Sequence, residues 1–559
     1  MGAWYVADFE TTSARYYEKH GYTKVWLWSI CDENSEIVAW GKDIDTFIQW
    51  CKKNNRAEIY FHNLKFDGSF ILNYLLSNNY PHTDKVKVHD SRRFSTLISD
   101  DGQYYQIKVN FGDRKIVTFL DSLKLIPLKV EQIAKIFNLP IRKLKIDYDK
   151  YEITDEVLDY VFNDVKIVAM ALKFFKNQGF DKMTIGSCAY NKFFDEFSAF
   201  KQLFPKLDRE WLVEWRKAYR GGRTQVNPRY AGKILENVNR YDINSMYPYA
   251  MSRWYMPYDY PISITKRGRY KFELYKVNII FKLKNGHLPT LLKSGNRFNN
   301  TDETYYIESD GLETIYISNI DLDLLYKHYD IKYIEYLEMY GFKTSKFIFT
   351  EFIDKYYELK NNSTGGLKLI YKLVINNLYG KFGSKCYGKT KIPQLKDNAL
   401  EFTTTEEEEM KQYYLPVAIA ITSYCHKLID DAIEMTGIEN FVYCDTDSVH
   451  TLGALPKEVV DNKEIGKFKY EGCELKAKYI RQKCYIYKEE NDTVITCAGM
   501  TESIKNYLFK QYKDDVFKIF DIGLKVDENS PNIKLEDLKL RPKQVMGGTI
   551  LTPIPFSLN

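Results

Sequence analysis

The chain has 559 residues and a mass of 66.0 kDa, more than one ordinary core accommodates, so several domains are expected. Its 80 Lys and Arg against 75 Asp and Glu leave a net charge of +5. That balance is too mild to place a polyanionic partner by charge alone, yet it allows a basic groove beside acidic clusters. Aromatic residues reach 16%, with 46 Tyr and 33 Phe, which suits stacking on bases or sugars, core packing, or simply AT-rich codon usage.

From the N-terminus, the strand-like runs "AWYVADFETT", "AEIYFHNLKF", "YYQIKVNF" and "KIVTFLDSL" lead into "TDEVLDYVFNDVKIVAMALKFFK". In that last run Leu158, Val161, Val165 and Val168 recur at helical spacing, so residues 1–183 read as an α/β unit. Asp8 and Glu10 stand two apart on a strand and therefore on one side of it. Asp67 follows in "FHNLKFDGSF", and Tyr160 and Asp164 share a helix face at i, i+4. Four carboxylates and a tyrosine make a potential two-metal site that activates water, with the tyrosine orienting or helping to deprotonate it. Any one of these carboxylates also fits an ordinary turn or strand; the ordered set is the specific signal.

"SAFKQLFPKLDREWLVEWRKAYRGG" reads as helix and stops on a glycine pair. In "RYDINSMYP", Asp242 closes a strand, with Tyr247 and Pro248 close behind. Residues 254–347 are strand-rich and read as an inserted module, and 351–382 return to helix. There Lys368, Lys372, Asn376 and Tyr379 fall on one face, a surface suited to a triphosphate with the ring beside sugar and base; Lys360 adds a third charge if the helix start folds over the same place. A solvated lysine stripe would look the same in isolation. "TTTEEEEM" reads as a solvated acidic loop, "LPVAIAITSYCHKLIDDAIEMT" as helix, and "NFVYCDTDSVHTL" as strand–turn–strand. In that hairpin Asp445 and Asp447 are expected on the same side. Two like charges about 5.5 Å apart repel by about 3 kcal/mol at an effective dielectric of about 20. With Asp242 they supply three hard oxygen donors suited to Mg²⁺. The last sixty or so residues mix helix, proline and glycine without a chemical motif.

These motifs, in this order, resemble the family B DNA polymerases, and more narrowly the protein-primed polymerases of small linear-genome phages, the phi29 type. The resemblance covers nearly the whole chain. It implies an RNase H-like 3′→5′ exonuclease domain followed by a right-hand polymerase, α/β and α+β in class. The implied boundaries are exonuclease 1–183, palm 184–253 and 414–496, fingers 348–385 and thumb 497–559, with two terminal-protein-region insertions at 254–347 and 386–413. "DFETT", "YFHNLKFDG" and "YVFND" match the proofreading motifs, giving metal-binding roles to Asp8, Glu10, Asp67 and Asp164 and a water-orienting role to Tyr160. A supporting lysine is expected at Lys143 in preference to Lys145. Single-stranded DNA is expected at His62, Asn63, Phe66, Ser122 and Leu123.

"YRGG" matches the template-gripping link, with Tyr219, Gly221 and Gly222 as DNA contacts. "DINSMYP" matches the first palm motif, with Asp242 and the Ile243 carbonyl as metal ligands and Tyr247 blocking a ribose 2′-hydroxyl. "KLVINNLYG" matches the fingers motif, with Lys372 on the triphosphate, Tyr379 beside the nucleotide and Asn376 towards DNA. "YCDTDS" supplies Asp445 and Asp447 as catalytic carboxylates, and "KCY" supplies Lys483 and Tyr485 for the primer. Three features depart from the common pattern: Asn377 stands where serine is usual, Met246 replaces a leucine at conserved volume, and the contacts of the two insertions are not readable.

The resemblance further implies two Mg²⁺ ions per active site, with Mn²⁺ able to substitute. The implied partners are template and primer DNA, dNTPs and a priming terminal protein, the enzyme being a monomer or a heterodimer with that protein. A DNA-primed family B replicase of a plasmid or other mobile element is the alternative. A non-catalytic nucleic-acid binder would tolerate chelation of Mg²⁺, which the enzyme would not. Nine cysteines without a C-x-x-C pair, no signal-like N-terminus and no run of about 18 apolar residues suit a soluble protein of the infected bacterial cytoplasm, with no membrane partner.

Overall fold

Two seven-stranded sheets organise the chain, and each carries one of the two acidic groups on a strand near its middle. The structure, a computed structural model, describes residues 3–144, 150–293 and 304–558. Lys145 lies outside the described residues. The first sheet runs, edge to edge, Ile37–Gly41, Val25–Asp32, Trp4–Thr11, Glu58–Phe61, Ile116–Asp121, Tyr104–Asn110 and Arg93–Ile98. Trp4–Thr11, Glu58–Phe61 and Ile116–Asp121 are mutually parallel, and the outer pairings are antiparallel. Parallel strands are buried on both faces, which is why Val25–Asp32 beside them is apolar along almost its full length. Trp28 and Ile30 pack with Phe47 and Ile48 of the Ile44–Lys53 helix, while Trp26 and Leu27 meet Tyr160 and Val161 of the Asp155–Asn177 helix.

The second sheet is antiparallel throughout, in the order Thr493–Cys497, Cys484–Lys488, Phe468–Arg481, Ile234–Ile243, Ser448–Thr451, Phe441–Asp445 and Thr224–Val226. The Leu415–Thr436 helix backs it, starting on Pro416 and buried at most of its positions. Two expected helices are broken. The 351–382 stretch divides into Thr350–Asn361 and Gly365–Phe382, because Thr364 takes an extended conformation between them. The "SAFKQLFPKLDREW" stretch becomes a 3-10 turn at Ser198–Leu203 and a helix at Arg209–Trp215, interrupted by Pro205, which cannot continue a helix.

The strand-rich insert folds as a four-stranded antiparallel sheet, Met256–Ser263, Tyr329–Ser345, Phe272–Leu283 and Glu313–Ser318, with a helix at Asn319–His328. Charges hold it to the second sheet. Arg223 and Asp430 are both buried and paired at 3.0 Å, and Lys327 of the insert donates to the other oxygen of Asp430 at 2.6 Å. Asp321 of the insert accepts from Ser423 at 2.6 Å and pairs with His426 at 2.8 Å. Tyr305 donates to the Thr224 carbonyl and accepts from the Thr224 amide, at 3.2 and 3.0 Å.

Within 386–413, Lys391–Lys396 and Ala399–Thr404 form a hairpin whose turn residues Asp397 and Asn398 both have positive φ. Leu400 is buried in the core of the first sheet, and Phe402 sits edge-on to Tyr104. The C-terminal hairpin, Lys539–Val545 with Gly548–Ile554, reaches the same place. At its tip Gly547 has φ +87°, and a Cβ there would fall 2.3 Å from the Thr23 carbonyl, so only glycine seats.

Replacing Asp430 by Ala would leave Arg223 and Lys327 facing an apolar hole. Denaturant unfolding should then report a loss of about 3–5 kcal/mol, the cost of an uncompensated buried charge; a loss below about 1 kcal/mol would show that the network carries no such weight.

Candidate active site

On the first sheet, Asp8 and Glu10 both point from the Trp4–Thr11 strand into one cavity, as strand alternation requires, and Tyr160, Asp164, Lys143 and His62 line it too. Asp164 enters from the Asp155–Asn177 helix, and Asp67, on the Leu64–Ser77 helix, is buried close enough to Asp8 to feel its charge. Burial raises the pKa of all four carboxylates. That of Asp8 reaches about 7, pushed by desolvation and by Asp164; Asp67 and Glu10 rise for the same reason, with Asp8 adding to each. Lys143 ion-pairs with Asp164, lies over the Tyr160 ring and donates to its hydroxyl at 3.4 Å. One oxygen each of Asp67 and Asp164 is buried without a partner.

The residues expected to hold a single strand lie beside this cavity. Asn63 is exposed with φ +86°, Phe66 is half-buried against Phe70, and Leu123 is held by its amide on Asp121. Ser122 is more enclosed than the others. It has no exposed surface, its hydroxyl donates to the Phe61 carbonyl, and it lies 3.0 Å from the His62 ring. Asp121 escaped the sequence reading. It accepts from the Asn63 and Leu123 amides and so orients both neighbours.

On the second sheet, Asp242 sits opposite both Ser448 and Lys469 in register. The expectation that strand alternation places Asp445 and Asp447 side by side is corrected: the strand ends at Asp445. Thr446 has φ +65° and the Asp447 amide donates back to the Asp445 carbonyl at 2.8 Å, a strained three-residue γ-turn. The turn is held from outside, because the Thr446 amide donates to the Arg223 carbonyl and the Thr446 side chain fills the space that a Cβ on Gly222 would need. Burial and the facing Asp447 raise Asp242 to about 7, and Asp447 is raised by burial.

Asp445 is differently placed. Lys483 donates to its two oxygens at 2.7 and 2.6 Å, and Thr224 donates to it at 3.1 Å. Lys483, expected on the primer, is thus engaged with a carboxylate, and Tyr485 stacks in the ring series Tyr443–Tyr479–Tyr485. Ile243 is fully buried and its amide donates to the Asp447 carbonyl. Thr224 carries no sequence signal of its role, since 221 residues separate it from Asp445.

Facing these carboxylates, Lys368 and Lys372 are exposed on the Gly365–Phe382 helix. Lys360 folds over from the preceding helix, lies 3.8 Å from the Tyr357 ring centroid and donates to Ser245 at 3.3 Å. Desolvation and the other two lysines lower its pKa to about 8, so three ammonium groups converge. Tyr247 and Tyr379 stack at 4.0 Å and 16°, forming one wall. Asn376 keeps a buried side-chain oxygen without a partner, Tyr219 lies against Gly383, and Gly221 is open to solvent.

Among the described residues, no three acidic, His or Cys side chains are closed up tightly enough to enclose an ion as they stand. Lys143 and Lys483 each occupy a carboxylate. The orphaned Asp67 and Asp164 oxygens and the mutual repulsion of Asp242 and Asp447 nonetheless fit hard divalent ions.

A family profile described as DNA polymerase type B, organellar and viral, matches residues 48–151 and 147–465. The DNA polymerase of Bacillus phage PZA is 36% identical over 598 aligned positions, covering 99% of each chain. That of Bacillus phage phi29 is 35% identical, covering 99% of this chain and 98% of its own. The solved phi29 DNA polymerase complexed with primer-template DNA and incoming nucleotide substrates superposes with a TM-score of 0.88 at 33% identity, covering 100% of both chains.

The raised carboxylates fix a pH dependence. Asp8 and Asp242 titrate near 7 when folded against an ordinary 3.8, so the folded state binds more protons in that window and stability falls as pH climbs through it. Below it, Asp430 and Asp321, whose pKa values are lowered by their cationic partners, lose their contribution on protonation. In chelator, the thermal midpoint should therefore rise from pH 8 to about pH 5, and added Mg²⁺ should raise it more at pH 8 than at pH 5. A midpoint that climbs with pH in chelator would contradict the assignment.

Proposed function

This chain belongs to the type B DNA polymerases of organelles and viruses and is a DNA-directed DNA polymerase, and we propose that it also proofreads 3′ ends, starts from a protein hydroxyl and displaces the non-template strand as it copies. The observation that carries the reading is the presence of two buried acidic sites on two sheets, of which only the second faces a lysine-lined helix and a tyrosine wall. We assign 1–183 to the exonuclease, 184–253 and 414–496 to the palm, 348–385 to the fingers and 497–559 to the thumb. The inserts at 254–347 and 386–413 are assigned to the priming terminal protein and to DNA retention, as the phi29-type resemblance implies. No described helix is long and apolar enough to cross a membrane; action in the infected bacterial cytoplasm is what the phi29-type resemblance implies.

In the polymerase site Asp242 and Asp447 would hold the metal ions, with Asp445 poised by Lys483 and Thr224 at their side. Bound Mg²⁺ would acidify the attacking hydroxyl and neutralise the departing pyrophosphate. Lys360, Lys368 and Lys372 converge on the triphosphate and offset its charge before chemistry begins. The Tyr247 ring, braced flat against Tyr379, leaves no room for a ribose 2′-hydroxyl. In the exonuclease site Asp8, Glu10, Asp67 and Asp164 would hold the ions. Tyr160, fixed under Lys143, orients the attacking water, while His62, Asn63, Phe66 and Leu123 hold the frayed 3′ end.

Two sets of variants test the division of labour. Asp447→Ala should lower primer extension by at least about 100-fold and leave degradation of single strands intact, and Asp67→Ala should do the reverse. If either variant lost both activities equally while remaining folded, the two-site reading would fail. Tyr247→Val should raise ribonucleotide incorporation by about 10-fold or more with dNTP incorporation largely kept; unchanged discrimination would remove Tyr247 from that role.

A further inference from the structure

Cys484 and Cys497 face each other across neighbouring strands of the second sheet. The next residue along, Ala498, donates its amide to the Lys483 carbonyl at 2.9 Å. That makes Cys484 and Cys497 a non-hydrogen-bonded pair, the kind whose Cα atoms lie about 4.5 Å apart, inside the range of about 4.4–6.8 Å that a disulfide spans. The Cys497 thiol donates to the Ala498 carbonyl at 3.9 Å, and both cysteines are free. Cys484 is fully buried, whereas Cys497 keeps 8% of its surface open. The surroundings make the two unequal. The Cys484 thiol and the nearby Arg481, Lys505 and Lys539 favour the thiolate of Cys497, while Cys484 is held as the thiol. By contrast, burial raises the thiols of Cys31, Cys51, Cys425 and Cys444, and among the described residues no other cysteine stands opposite a second one in strand register.

We propose that Cys484 and Cys497 form an oxidative modification site, a reversible intramolecular disulfide made by peroxide. The Cys497 thiolate attacks hydrogen peroxide, breaking the O–O bond to give a sulfenic acid and hydroxide, which leaves as water after taking a proton. The Cys484 thiol then attacks the sulfenic sulfur. The S–S bond forms and a second water departs, so that two thiols are oxidised and one peroxide is reduced. A dithiol reverses the step by thiol–disulfide exchange. In a reducing cytoplasm the dithiol form prevails and the bond is transient. Its place gives it reach: Cys484 lies between Lys483, which grips Asp445, and Tyr485, while Cys497 leads through Met500 into the Glu502–Tyr512 helix within one shared apolar core. The bond would pin the root of the C-terminal unit to the catalytic sheet.

The test is mass spectrometry of the full chain after a few equivalents of hydrogen peroxide under native conditions. The expected result is loss of two of the nine alkylatable thiols and two hydrogens, a linked Cys484–Cys497 peptide after digestion, and full recovery with dithiothreitol. Cys484→Ser should instead trap a dimedone adduct on Cys497. Peptide mapping of the unaltered chain decides the matter even if that variant folds poorly. Retention of all nine thiols, a link between other cysteines, or sulfinic acid on Cys497 without a link would overturn the proposal. None of these readouts depends on polymerase or exonuclease activity.

Discussion

Negative charge held out of water is the constraint around which this chain is built. Asp8, Glu10, Asp67 and Asp164 crowd one site, and Asp242 and Asp447 crowd another, in surroundings that penalise the ionised form. Such arrangements persist only where the scaffold holds them rigidly. In both sites a lysine sits on one carboxylate, Lys143 on Asp164 and Lys483 on Asp445. Each lysine thereby fixes the position of one carboxylate within its acidic group.

Rigidity in the second site comes from Arg223. Its carbonyl takes the Thr446 amide, its guanidinium pairs with Asp430, and the next residue donates to Asp445. A γ-turn with a β-branched residue at positive φ is a costly conformation, and it persists because Arg223 and Gly222 fix it from two sides. The three-lysine face opposite shows the converse economy of charge. Lys360, Lys368 and Lys372 repel one another, so a face of like positive charge stands opposite a group of like negative charge.

Much of this was legible in the residues. The Asp8–Glu10 pair followed from strand periodicity alone, and the Lys368–Tyr379 face from helical periodicity, because both signals are local. Asp445 and Asp447 were read as neighbours through the wrong geometry: alternation predicts same-side placement, but a turn produces it, and φ at Thr446 leaves no trace in composition. The split of 351–382 into two helices was hidden because Thr364 reads as an ordinary polar residue. Thr224, Tyr305 and the Arg223–Asp430 pair were invisible since they act across 81 to 221 residues of sequence, where no spacing rule applies. The engagement of Lys483 with Asp445 was likewise beyond a motif that names residues without their partners.

The grip of Tyr305 on both the amide and the carbonyl of Thr224 has a wider consequence. The four-stranded insert looks like an accessory that a lineage could gain or lose as a cassette. Here the Tyr305 hydroxyl closes the backbone of the very strand that steadies Asp445, and the insert's helix supplies charged partners to Asp430 and His426. Excision would therefore unseat the chemistry along with the accessory. The module and the second sheet form one packing unit, free of that constraint only on the outer face of the insert.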